Sequence, residues 1–229
     1  MIHGAGFNSE LWSNQLDLLG SEINVIAPDL SGHDQPDEKS FDSIPGYANW
    51  LYEFLENRVE QPVYLVGHSM GGAIAQEMAI AHAHLLKGLI LVATGARLRV
   101  APQFLEGLLD DFENTVDTIM SYAFSKDSKR ELVGQWASIM KRPGPAVVHD
   151  DFLACNRFDR RNDIQKITTP CLVICGEQDR LTPLDLSRFL HEQITGSRLK
   201  VIARAGHMVM IERYHEVNAA ISEFIHEIG

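Results

Sequence analysis

Short, nearly continuous apolar runs recur along the chain, separated by stretches in which apolar residues return every three or four positions. The runs at 23–27, 63–66, 89–93, 171–175 and 199–203 predict strands. They do not alternate polar with apolar, which is the pattern of a sheet buried on both faces. Strands that alternate with helices predict an α/β fold with a mostly parallel, doubly wound sheet. Ser9 is placed to cap a helix running through Leu11, Trp12, Gln15 and Leu18-Leu19. Further helices are predicted over 47–59, over 73–81, from a Thr182 cap and a Pro183 first turn to 193, and over 217–228.

One region breaks this rhythm. From 95 to 165 there is no strand pattern, only helical stretches interrupted by polar residues and by Pro143-Gly144-Pro145. The expected organisation is therefore one α/β core made of 1–94 and 166–229, with a helical cap inserted as 95–165. Phe104, Phe124, Trp136 and Phe158 of the insertion suit either an apolar pocket or plain core.

Composition narrows the function. Thirty-one acidic residues against twenty Lys and Arg leave a net charge of -11 with no basic block, which argues against a nucleic-acid partner. Cys171 and Cys175 share one face of a predicted strand, too far apart to bridge, and with Cys155 they make an odd count. That usage fits a reducing compartment. Met1-Ile2 lead directly into His3-Gly4 without a charged or apolar leader, and no run approaches membrane-spanning length. A cytoplasmic protein without a membrane partner is expected. No metal-ligand spacing is present, so neither metal nor cofactor is expected. The oligomeric state is left open.

The strongest chemical signal is Gly67-His68-Ser69-Met70-Gly71, with Gly72 after it, between the strand at 63–66 and the helix at 73–81. A serine on such a turn is held in a strained conformation with its hydroxyl above the sheet, and the residues two before and two after must be tiny. The helix N-terminus beneath it favours developing negative charge. A serine hydroxyl needs a base. His207 stands in a loop after the strand at 199–203 and follows Gly206, whereas His82, His84, His191, His215 and His226 fall on predicted helices among polar neighbours. Asp179, after the strand at 171–175, is the orienting acid, with Glu177 as runner-up. Two oxyanion donors are needed. The N–H of Met70 and an N–H of the His3-Gly4-Ala5-Gly6 loop, that of Ala5, are the candidates.

These motifs, in the order Ser69, Asp179, His207, resemble the α/β-hydrolase fold family over nearly the whole chain. The resemblance implies catalytic roles for Ser69, Asp179 and His207, oxyanion roles for Ala5 and Met70, and a cap at the insertion. Members usually carry two further strands and a full third strand ahead of the His-Gly loop, where this sequence has only Met1-Ile2. Support for Ala5 is therefore expected to be short, and a misplaced donor costs about 10²-fold in rate. The stretch 29–36 resembles a family loop that usually has Gly and Ser at Asp34 and Pro36; only a structural consequence is expected.

The implied activity is a serine carboxylesterase acting on a small or medium acyl ester. The alternatives are a lactonase similar to enol-lactone hydrolases and a C–C bond hydrolase with the same triad, which tends to have Asn where His68 stands. A non-catalytic receptor with the same fold is the alternative of another class. The expected partner is a small-molecule ester or lactone.

Overall fold

The computed structural model describes residues 1–21, 23–33 and 39–229. In chain order the elements are α1 (Ser13–Leu19), α2 (Ile44–Arg58), β1 (Val63–His68), α3 (Met70–Ala81), β2 (Leu86–Val92), α4 (Pro102–Asp110), α5 (Phe112–Ala123), α6 (Arg130–Lys141) and α7 (Pro145–Arg157). They continue as β3 (Cys171–Gly176), α8 (Leu184–Gln193), β4 (Arg198–Ile202), α9 (Val209–Glu212) and α10 (Tyr214–Ile228). Among the described residues the strands form one parallel sheet in the order β1-β2-β3-β4.

Both faces of the sheet are covered, as the unbroken apolar runs predict. Val66, Ile90, Val92, Leu172, Ile174 and Ile202 point into a core shared with α1 and α10. Their chain neighbours Leu65, Leu89, Leu91 and Val173 point the other way, into a core shared with α2 and α3. Successive strand residues face opposite sides, so two packed cores require an apolar residue at every position. The stretch between β2 and β3 is helical, as expected: α4 to α7 fill it, with a single bridge between Arg97 and Asp159. Among the described residues no helix is long and apolar enough to cross a membrane.

Three expectations change, and one left open is resolved. Residues 23–27 form no strand; Asn24 and Ile26 are exposed. A strand needs a ladder partner, and a slot of about 550 Å³ lies between this segment and β1. Among the described residues the β1 edge is paired there only by Ile2, which donates to Val66 O (2.7 Å) and accepts from His68 N–H (3.0 Å). The first helical turn is capped by Asn8 rather than Ser9: the Asn8 side chain accepts from Glu10 N–H, while Ser9 lies inside the turn and gives its N–H to Asp29. Pro183, not Thr182, occupies the cap position of α8, and the Thr182 hydroxyl is used elsewhere. Phe124, Trp136 and Phe158 are plain core, while Phe104 lines a cavity. The departures at Asp34 and Pro36 lie outside the described residues.

Leu91 is fully buried in β2. Leu91→Ala is expected to cost about 2–5 kcal/mol of unfolding free energy through lost burial and a residual cavity, measured by urea denaturation.

Candidate active site

The bend between β1 and α3 is built by steric exclusion. Ser69 has φ 51° and ψ -113°, a conformation that L side chains rarely adopt. A Cβ on Gly67 would stand 2.2 Å from Gly71 O, and one on Gly71 would stand 2.3 Å from Ile2 O. One on Gly72 would meet the Thr94 side chain at 2.6 Å. The expectation of tiny residues around Ser69 thus has a concrete cause: β1, α3 and the Ile2–His3 backbone touch at this point. Ser69 N–H donates to Val92 O (3.0 Å) and the Thr94 hydroxyl donates to Ser69 O (2.8 Å), so the bend is also tied to β2.

His207 and Asp179 come together from the loops after β4 and β3. His207 Nδ1 lies 2.9 Å from Asp179 Oδ2, with the two residues 4% and 6% exposed. The Thr182 hydroxyl donates to the same oxygen at 2.8 Å, and Oδ1 accepts the N–H groups of Leu181 (2.9 Å) and Thr182 (2.8 Å). A carboxylate held by that many donors stays an acceptor and fixes the imidazole tautomer with Nδ1–H toward it, leaving Nε2 free. Glu177, the runner-up acid, is exposed and accepts from Arg204 N–H instead. The His207 loop is held from outside by Glu212, which accepts from Gly206 N–H (2.7 Å), Ser125 N–H (2.9 Å) and the Ser128 hydroxyl (2.6 Å). Met208 N–H donates to Ala123 O (3.1 Å), joining this loop to the end of α5.

Ser69 and His207 open into one cavity of about 240 Å³, which Ala5 also lines. Its walls are mostly apolar, with Phe104, Ile119, Met120, Met140 and Phe152 supplied by α4 to α7. Among the described residues Ser69 Oγ has no hydrogen-bond partner, His207 included; apo geometry of this kind does not rule out a nucleophile–base pair. The N–H groups of Ala5 and Met70 likewise have no acceptor among the described residues. Met70 begins α3, so its N–H belongs to the unpaired, electropositive end of that helix.

Several residues at the site make contacts that the sequence motifs do not reveal: His3 and His68 stand inside those motifs without an assigned role, and Asp151 lies outside them. His68 is buried, its ring 4.7 Å from that of His207, and its Nε2–H donates to His207 O at 3.2 Å. Burial, and then the neighbouring His207, hold its pKa well below 6.5. His3 is buried as well; burial and the nearby His33 push it down to about 3. It is neutral, donating from Nδ1 to Gly4 O (2.9 Å) and accepting Leu30 N–H at Nε2 (3.0 Å). Behind it Asp151 of α7 accepts from His33 Nε2 (2.8 Å), the Tyr47 hydroxyl (2.5 Å) and Gly6 N–H (2.8 Å). One signal for Asp151 exists in the sequence: Val148, Ala154 and Cys155 flank it at helical spacing, on what is the buried face of α7.

A family model described as the alpha/beta hydrolase family matches residues 1–220. A pimeloyl-[acyl-carrier protein] methyl ester esterase of Neisseria meningitidis serogroup C is 28% identical, over 98% of this chain and 92% of its own length. A solved thermophilic esterase is 39% identical with a TM-score of 0.88, covering all of this chain and 89% of that one. The enol-lactonase of Burkholderia xenovorans LB400 superposes with a TM-score of 0.91 over 98% of this chain and 90% of its own; at 20% identity the likeness is one of fold alone.

Two outcomes follow from this geometry. Gly71→Ala forces the Ile2–His3 backbone away, and a loss of about 1–3 kcal/mol in stability together with impaired turnover is expected, read by denaturation and ester hydrolysis. For His33, burial lowers the pKa, but the Asp151 charge and hydrogen bond and the carbonyls of Ser31 and Leu30 outweigh it, so the value is raised above 6.5. Its stabilisation is then fully present below 6.5 and is lost as pH rises through the raised value. The melting-temperature deficit of His33→Gln relative to wild type is expected to be largest at acid pH and to shrink as pH rises above 6.5 and through the raised value.

Proposed function

The chain belongs to the alpha/beta hydrolase family and is a hydrolase of ester bonds; we propose that it works through an acyl-enzyme on Ser69, with His207 as base and Asp179 as its orienting acid. The observation that carries this reading is the shared cavity. Ser69, on its positive-φ bend, faces the same apolar space as His207 and Ala5. A carbonyl carbon in that space would have an attacking oxygen and a proton acceptor beside it, with the N–H groups of Ala5 and Met70, which have no acceptor among the described residues, as the proposed oxyanion donors.

The steps balance as follows. Ser69 Oγ adds to the ester carbonyl while its proton passes to His207 Nε2. The carbonyl oxygen, now an anion, accepts from the N–H groups of Ala5 and Met70. Each such donor is worth about 2.7–4 kcal/mol in the transition state, because it is already oriented and lies in a site shielded from water. Collapse breaks the ester C–O bond, and the alcohol leaves with the His207 proton. Water then attacks the acyl-enzyme, gives its proton to His207, and Ser69 departs with that proton as the acid is released. Asp179 stabilises the imidazolium in both halves of the cycle and keeps its own charge throughout.

The substrate class proposed is a small or medium acyl ester. A cavity of about 240 Å³ with Phe104, Ile119, Met120, Met140 and Phe152 on its walls suits an apolar acyl chain of modest length. The Neisseria relative is named as an esterase of a methyl ester carried on an acyl-carrier protein. A lactone is an ester closed into a ring and would pass through the same steps. In this reading 95–165 is the cap that sets chain-length preference, and 1–94 with 166–229 is the core that carries the chemistry. The buried free thiols of Cys155, Cys171 and Cys175 support a reducing, cytoplasmic setting.

Hydrolysis of p-nitrophenyl acetate and butyrate is expected, and Ser69→Ala is expected to remove it. A Ser69→Ala protein that hydrolyses these esters at the wild-type rate would contradict the assignment. Parallel assays on acyl esters and lactones of matched size show which of the two the cavity prefers.

A further inference from the structure

Asp151 belongs to α7, yet its donors come from distant parts of the chain: Gly6 beside Ala5, Tyr47 on α2, and His33. The carboxylate and the His33 side chain are fully buried. A buried charge is expensive unless it is paired and hydrogen-bonded. Here the hydrogen bonding also fixes the charge state. His33 Nε2 faces the carboxylate, and its Nδ1 faces Leu30 O (3.2 Å) and Ser31 O (3.3 Å), so both ring nitrogens look at acceptors only. The imidazolium is the form that satisfies both, and Asp151 is its counter-ion. The neighbouring His3, its ring 4.7 Å from that of His33, is spent on Gly4 O and Leu30 N–H and takes no part in the charge.

The significance lies in what Gly6 N–H is attached to. A peptide unit is planar, so the Ala5 N–H points opposite to Gly4 C=O. Gly4 O is held by His3 Nδ1–H (2.9 Å) and Phe7 N–H (3.2 Å). The following unit, between Ala5 and Gly6, is held by Asp151 through Gly6 N–H at 2.8 Å. Both units flanking the Ala5 Cα are therefore fixed, although among the described residues before β1 only Ile2 pairs with it. Gly6 has φ 71°, a conformation in which its N–H can reach the carboxylate without strain.

We propose that Asp151 is a positioning residue for the Ala5 oxyanion donor, so that α7, which packs over the cavity, and the oxyanion loop are held by one carboxylate. The proposal rests on the Ser69 acyl-enzyme reading. It requires that loss of the carboxylate weaken transition-state binding more than substrate binding.

The test compares wild type, Asp151→Asn and Tyr47→Phe. The fraction of active serine is titrated with a fluorophosphonate, kcat and KM are measured with p-nitrophenyl butyrate, and Ki is measured for butylboronic acid. That inhibitor takes up the Ser69 oxygen to become a tetrahedral anion in the oxyanion site. Asp151→Asn is expected to lower kcat per titrated serine by about 10²-fold and to raise the boronate Ki comparably, with KM changed by less than about threefold. Tyr47→Phe, which keeps the ring and removes one donor to the carboxylate, is expected to move kcat and Ki several-fold in the same directions. Wild-type kcat and Ki per titrated serine in Asp151→Asn, with only a lower melting temperature, would overturn the proposal. If Asp151→Asn does not fold, unchanged kcat and Ki in Tyr47→Phe overturn it instead. A wild-type protein that turns over the ester without reacting with the fluorophosphonate overturns the Ser69 reading, which separates that failure from this one.

Discussion

At Ser69 the chain must leave β1 and enter α3 within one residue, at a backbone φ of 51°. Such a conformation persists only where the surroundings over-determine it. Here Gly67 and Gly71 let the two limbs close to a distance at which any Cβ would collide, and hydrogen bonds from Ser69 N–H and to Ser69 O tie the bend to Val92 and Thr94. The same closeness brings Ile2 and His3 against Gly71. The serine hydroxyl, the start of α3 and the loop carrying Ala5 are thus placed relative to one another by a single tight contact. A larger residue at any of these glycines moves all of them.

Around that contact the structure concentrates buried polar groups that answer one another. Asp179 is satisfied by its own loop and by Thr182, so that its remaining interaction orients His207. Glu212 holds the His207 loop from behind, and His68 holds the His207 carbonyl from the side. Asp151 and His33 do the equivalent for the loop of Ala5. Each of these groups makes a hydrogen bond that fixes side chain or backbone near the cavity, although the buried Nδ1 of His68 has no partner among the described residues. The cavity itself is walled mainly by apolar residues of α4 to α7, so the polar groups position and the helical insertion shapes.

Much of this is legible in the sequence, for physical reasons. The runs around Val66, Leu91 and Val173 read as strands because a doubly covered sheet needs apolar residues on both faces. The Ser69 turn reads directly because steric exclusion leaves only glycine at its flanks. Residues 23–27 are misread because strand propensity says nothing about whether a ladder partner lies alongside, and here a slot separates the segment from β1. Thr182 is misread as a cap because the same hydroxyl that suits a helix start also suits a carboxylate three residues earlier. The Asp151 cluster stays hidden because its members are separated by up to 145 residues, and only the buried spacing of α7 hints that this aspartate faces inward.

Whether Ser69 carries the acyl group during turnover is decided by mixing the protein with p-nitrophenyl butyrate, quenching in acid during the first turnovers, and measuring the intact and peptide masses. One butyryl group per chain is expected, located on the peptide containing Ser69 and absent after the ester is exhausted. Steady turnover with no acylated chain, or with the butyryl group on another residue, would exclude Ser69 as the acyl carrier.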